Sequence, residues 1–211
     1  MSMNVDDLMR KTKTYWYEDG LSEILAGLFF MAIGALLLAE WASPAGAPYK
    51  WIFAPGFAVV TIVWILSGRK VVNWLKERIT YPRTGYVAYK RQRPASRLAR
   101  IVVAATIGAA VSLALVASLL YRQEIGRVVP LILGVGVALL MIKIGSELGL
   151  LRFLVAAVWS VLIGGVLAWL TAEMSLAIAL YYGLLGPAFV ITGAVALIRY
   201  LRAAPLEEGH D

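Results

Sequence analysis

Four charged residues set into long apolar stretches are the ones whose type and spacing could do chemistry: Glu23, Lys143, Glu147 and Arg152. Ionisable groups inside membrane-length apolar runs are costly, and they mark proton or solute pathways unless they pair between helices. Lys143 and Glu147 are four residues apart, hence on one helix face where they can pair. Glu23 lies about one helical turn into the first apolar run. There it could meet Lys143 or Arg152 from a neighbouring helix. None of the four reaches the middle of a run, which favours a structural ion-pair network, with a solute or proton site as the alternative. Glu40 falls at the end of the first run and Glu173 in the loop between the fifth and sixth, where the side chain reaches headgroups.

Other chemistries lack their residues. The chain has no cysteine, and its single histidine, His210, stands in a tail with Glu207, Glu208 and Asp211. That removes thiol nucleophiles, disulfides and histidine-based metal sets. Ser112, Ser118 and Ser160 have no histidine to act as base, and a Ser–Lys dyad would have to use Lys143. No Gly-Lys-Ser or Gly-Lys-Thr phosphate cradle occurs. The reading is non-enzymatic, with no catalytic residue, metal or cofactor.

The elements that must position these residues follow from composition. Of 211 residues, 61% are hydrophobic and 16% charged, against about 25% charged in soluble domains. Runs of roughly 20 apolar residues suit a hydrocarbon layer about 30 Å thick. Six such runs are predicted, near 21–41, 51–67, 98–121, 128–146, 150–171 and 176–200. The fold class is an all-α polytopic membrane helix bundle of six transmembrane helices. Its parts are a polar segment 1–20, a first hairpin 21–68, a basic connector 69–97, helices three to six over 98–202, and a tail 203–211. The last three connections are short and predict antiparallel neighbours. Asp19 is placed to cap the first helix. Ala45-Gly46-Ala47 resembles a signal-peptide cleavage site, but four acids precede the first run, unlike a short positive n-region.

Prolines at 55, 130 and 187 fall in the even-numbered runs and suggest three repeated helical hairpins, each with its proline near a helix start. Small residues at Gly145 and Gly149, at Ala105 and Ala109, and at Gly164-Gly165 predict close helix approach. Trp51, Trp74, Trp159 and Trp169 are read as interfacial anchors.

With the N-terminus placed inside, seventeen of the twenty Lys and Arg fall in inner segments and only Lys50, Arg122 and Arg127 in outer ones. By the positive-inside rule both termini and the connector face the cytoplasm. The same rule accounts for the net charge of +7 without nucleic acid as a partner.

Nine bases crowd the connector from Arg69 to Arg97. Val71, Leu75 and Ile79 recur at i, i+4 and i+8, so its first part is an amphipathic helix that continues the second span or bends onto the surface. Pro82 stops it, and Pro82-Arg83-Thr84-Gly85 suits a tight turn. Tyrosines 81, 86 and 89 frame that turn. Lys76, Arg78, Tyr81, Arg83, Tyr86, Tyr89, Lys90 and Arg91 are therefore the candidate contacts for anionic lipid headgroups or a protein partner, a homo-oligomer included. A small transporter or channel subunit is the alternative reading.

The segment Glu77-Arg78-Ile79-Thr80-Tyr81-Pro82-Arg83-Thr84-Gly85-Tyr86-Val87 resembles one in bacterial integral-membrane proteins of unassigned function. Some of these open with an aromatic-Asp-Gly-Leu-x-Glu run like that from Tyr17 to Glu23. The resemblance covers about a tenth of the chain. It implies a multi-pass protein of a bacterial inner membrane and carries no activity.

Overall fold

The computed structural model describes residues 17–44, 46–80, 125–170 and 173–203, apart from the side chains of residues 54 and 125–127. The described residues form an all-helical bundle without strands. Five helices are long and apolar enough to cross a membrane. They are α1 (Leu21–Ala42), α2 (Phe53–Ile79), α3 (Ile125–Leu148), α4 (Leu151–Leu170) and α5 (Met174–Ala203). A one-turn 3₁₀ helix, Lys50–Ile52, leads into α2. The third predicted span, Pro82, the tyrosine turn, and Ala105 with Ala109 lie outside the described residues.

Local chemistry sets the helix ends. Ser43 closes α1 in an extended conformation, as the ring of Pro44 requires of the residue before it. Its hydroxyl donates to the Ala39 carbonyl. Pro55 sits in the first turn of α2, where a missing N–H leaves no intrahelical bond unmade. Gly149 ends α3 at φ 70°, while its amide and that of Leu150 both donate to the Gly145 carbonyl. A left-handed residue of this kind is the usual helix stop, and it folds α4 directly back on α3. The pair expected to form a smooth seam is thus mainly a turn, with Gly145 giving Phe153 room to approach.

The dominant pairings are α3 with α4 and, less expected, α1 with α5, the first and last described helices. The second seam is built from small residues seven apart. A Cβ on Gly20 would lie 2.3 Å from the Gly193 carbonyl oxygen, and one on Gly27 would lie 2.6 Å from that of Gly186. One on Gly34 would lie 2.6 Å from the Gly183 nitrogen and 3.1 Å from the Ala179 carbonyl oxygen. The matched positions descend along α5 as they rise along α1, so the helices run antiparallel with backbones in contact. Gly134 and Gly164 act likewise in the α3–α4 seam, against Ser160 and Pro130, while Gly165 faces open space.

Aromatics lock the rest. Phe29 stacks on Trp64 at 4.8 Å between ring centroids, tying α1 to α2. Phe30 meets Phe189 and Tyr182 of α5. Deep in the bundle the Ser160 hydroxyl donates to the Gly134 carbonyl at 3.0 Å and lies 2.7 Å from the Tyr181 hydroxyl. Between their charged ends the described helices turn apolar faces outward: Ile65, Leu139, Val158 and Ile191 are all exposed. Water does not tolerate such a surface around a whole bundle, and hydrocarbon does.

Two readings shift. Pro187 falls in the middle of α5, not near its start, so it does not match Pro55 and Pro130. Trp159 lies at mid-helix beside Ser160 and faces outward at the depth of the core, whereas Trp51 and Trp169 stand exposed at helix ends.

Candidate functional site

Charge collects at the end of the bundle where α1 begins, α2 ends and α4 begins. The chain enters α1 through Asp19 and Gly20, the latter at φ 71° in the N-cap position. The Asp19 carboxylate accepts from the Leu21 amide at 3.2 Å. Asp19, expected as the N-cap, thus holds the first turn from one residue before it, with Gly20 in the cap position. Its other oxygen accepts from Lys76 Nζ at 2.6 Å and from the Thr80 hydroxyl at 3.1 Å. Lys76 and Thr80 are four apart on α2 and so share a face. All three side chains are buried, Asp19 completely. The carboxylate is a clamp joining the start of α1 to the last turn of α2.

Lys76 was expected among the bases facing headgroups. It is instead 2% exposed and cannot reach them. The buried stripe of this half of α2 is Gly68, Val72, Lys76 and Thr80, while Val71 faces outward. A lysine stem is apolar enough to pack like its neighbours once the ammonium has a carboxylate, and polarity counted by residue type misses this. α2 runs unbroken from Phe53 to Ile79, so the amphipathic part of the connector continues the span.

A second pair is formed by Glu23, four residues after Asp19. Arg152, in the first turn of α4, brings Nε to 2.7 Å from Glu23 Oε1. The alignment falls short of a hydrogen bond, which leaves an ionic contact. The same guanidinium donates to the Tyr17 carbonyl, and the Tyr17 ring meets Phe153 edge-on at 5.8 Å. Glu23 is buried and Arg152 one-fifth exposed. Of the two partners open to Glu23, the structure brings it Arg152. Lys143 and Glu147 are both exposed.

Arg78 is exposed and covers the Trp74 ring at 4.2 Å, a cation–π contact worth about 0.5–1 kcal/mol at an exposed site. Tyr81, Arg83, Tyr86, Tyr89, Lys90 and Arg91 lie outside the described residues. The sequence reading missed Asp19 as a clamp, Thr80, and the Tyr17 carbonyl. A usable signal was present for the first two: a polar pair at i, i+4 on an otherwise apolar helix face, level with an acid in the preceding hairpin arm.

Chemically the arrangement is a brace. Both Asp19 oxygens are engaged and Glu23 is closed against a guanidinium, so neither carboxylate is presented to a substrate. Removing one member of such a buried pair typically costs about 3–5 kcal/mol, whereas replacing both by apolar groups is often neutral. Each partner is thus costly to bury without the other, which ties the helices that carry them together.

Comparison of the chain with protein-family models, curated proteins and solved structures finds no match.

Proposed function

We propose that this chain is a non-enzymatic, multi-pass membrane module that presents the basic connector 69–97 to anionic lipid headgroups or to a protein partner. The observation that carries this reading is the Asp19–Lys76–Thr80 clamp. It fixes the last turn of α2 against the bundle, so the connector departs from a rigid point. A clamp there would be unnecessary if the loop served only to retain charge.

The distribution of charge supports a cytoplasmic placement of this end in a bacterial inner membrane. Arg69, Lys70, Lys76, Arg78, Lys143, Arg152, Arg199 and Arg202 belong to the helix halves at the clamp end, against Lys50 and Arg127 at the other. Six spans fit the parity of the described helices. α2 ends beside Asp19, while α3 starts at the opposite end, where Pro130 lies against Gly164. The described helices on either side of residues 81–124 thus end and begin at opposite ends of the bundle, which supports an odd number of crossings between them. Transport would have to reach Glu23, and its burial against Arg152 gives that alternative less support.

The absence of cysteine makes single-site labelling clean. Tyr86→Cys, carrying a polarity-sensitive fluorophore, is reconstituted in phosphatidylcholine with and without phosphatidylglycerol. Anionic lipid should shift the emission to the blue, and Gln at Arg78, Arg83, Lys90 and Arg91 should remove the shift. At about 1 kcal/mol per base near an anionic surface, the effect is large. Identical emission in both membranes rejects lipid docking. Solute flux that is present in proteoliposomes and lost in Glu23→Gln would establish transport instead.

A further inference from the structure

A groove of about 450 Å³ runs along one face of α5 at the clamp end, within the ~300–1,000 Å³ of small-molecule sites. Its wall is apolar over Ile191 and Val195 and becomes charged at Arg199, with Arg152 and Glu18 closing its mouth. From Ile191 to Arg199 is about 12 Å at ~1.5 Å per residue. Thr192 adds no polar demand to the wall, since its hydroxyl bonds back to the carbonyls of Ala188 and Phe189 at 3.0 and 3.2 Å. An apolar slot ending in charge at one end of a span has the shape of a single lipid: chain inward, headgroup at the surface.

The charges narrow the headgroup. Arg152 is already offset by Glu23, but a guanidinium has five N–H donors, and among the described residues those toward Glu23 and the Tyr17 carbonyl are the ones engaged. Arg199 and Glu18 are exposed and form no ion pair with each other or with any other described residue. Among the described residues the mouth thus offers one cation and one anion without an ion-pair partner. A singly anionic headgroup would satisfy Arg199 and set its charge against Glu18. A zwitterion with a phosphate and a neighbouring primary ammonium satisfies both. A quaternary ammonium keeps the charge but has no N–H to donate to the carboxylate.

We propose that the groove holds one aminophospholipid of the phosphatidylethanolamine class. Its phosphate lies between Arg199 and Arg152, its ammonium is on Glu18, and an acyl chain lies along Ile191 and Val195. The site needs the clamp end to lie at a bilayer surface and does not need the connector to dock anything, so either reading can fail alone.

The full-length protein is incubated with an equal mixture of phosphatidylethanolamine, phosphatidylglycerol and phosphatidylcholine of one chain length, and retained lipid is counted by native mass spectrometry. One phosphatidylethanolamine should survive activation in preference to the other two. Glu18→Gln should lower that preference about tenfold, the scale of one charge-assisted hydrogen bond. Glu18→Asp should keep it, and Arg199→Gln should weaken retention of all three lipids. Glu18 and Arg199 are exposed, so the unfolding transition of each variant should match the unmodified protein. Phosphatidylglycerol retained as strongly as phosphatidylethanolamine, or no headgroup preference, overturns the proposal on the unmodified protein alone. An unchanged preference in Glu18→Gln overturns it as well.

Discussion

Replacing Asp19 by Asn keeps the side-chain shape and removes the charge facing Lys76. The ammonium is 2% exposed, so without its carboxylate it is a buried ion short of its counter-charge, at a cost of about 3–5 kcal/mol. Lys76→Met should cost less. The Asp19 carboxylate still accepts from Thr80 and from the Leu21 amide, which leaves a loss of about 1–3 kcal/mol. In the double variant neither charge remains, and most of the combined loss should be recovered. The coupling between the two sites is then about 3 kcal/mol, at the upper end for residues in contact. Unfolding in mixed micelles, followed for all four proteins, gives the cycle directly. A second readout uses Val72→Cys, 8% exposed on the clamped face of α2. It should resist maleimide with Asp19 present, label readily in Asp19→Asn, and be protected again in the double variant. Losses that simply add, with coupling below about 0.5 kcal/mol, would refute the claim that this pair holds α2 against α1.

The small-residue seam makes a sharper steric prediction. Gly27→Ala puts a methyl group 2.6 Å from the Gly186 carbonyl oxygen and should cost about 1–3 kcal/mol of unfolding free energy. Gly56→Ala, with nothing within 4 Å, should cause no loss and stabilise by up to about 1 kcal/mol, since alanine is the better helix former. The Glu23–Arg152 pair should respond asymmetrically. Arg152→Met strands a buried carboxylate, and a loss of about 2–4 kcal/mol is expected. Glu23→Gln leaves a partly exposed guanidinium still donating to the Tyr17 carbonyl and should be milder, so thermal unfolding in detergent should rank Arg152→Met below Glu23→Gln.

The helices were legible because hydrophobicity in runs of membrane length is a one-dimensional signal. Predicted runs 21–41, 150–171 and 176–200 end within a few residues of α1, α4 and α5. The short connection at Gly149 and Leu150 likewise announced that α3 and α4 are antiparallel neighbours. The site was less legible because burial of a polar side chain depends on what stands opposite it. Lys76 reads as a surface base until Asp19 is placed 2.6 Å away. Arg152 and Lys143 were equally open partners for Glu23 until the start of α4 was set against Tyr17.

By itself, then, the sequence determined that this chain is helical, that its helices suit a bilayer, and that its bases gather in one set of connections. Each follows from local composition and the cost of placing charge in hydrocarbon. Only the tertiary structure decided that α5 closes on α1, through glycines seven apart on helices at opposite ends of the chain. It also decided that the acid before α1 would be claimed by the end of α2. Glycine spacing says how closely a helix can be approached. Which helix approaches is set by the mutual fit of two surfaces, and no single stretch of chain contains both.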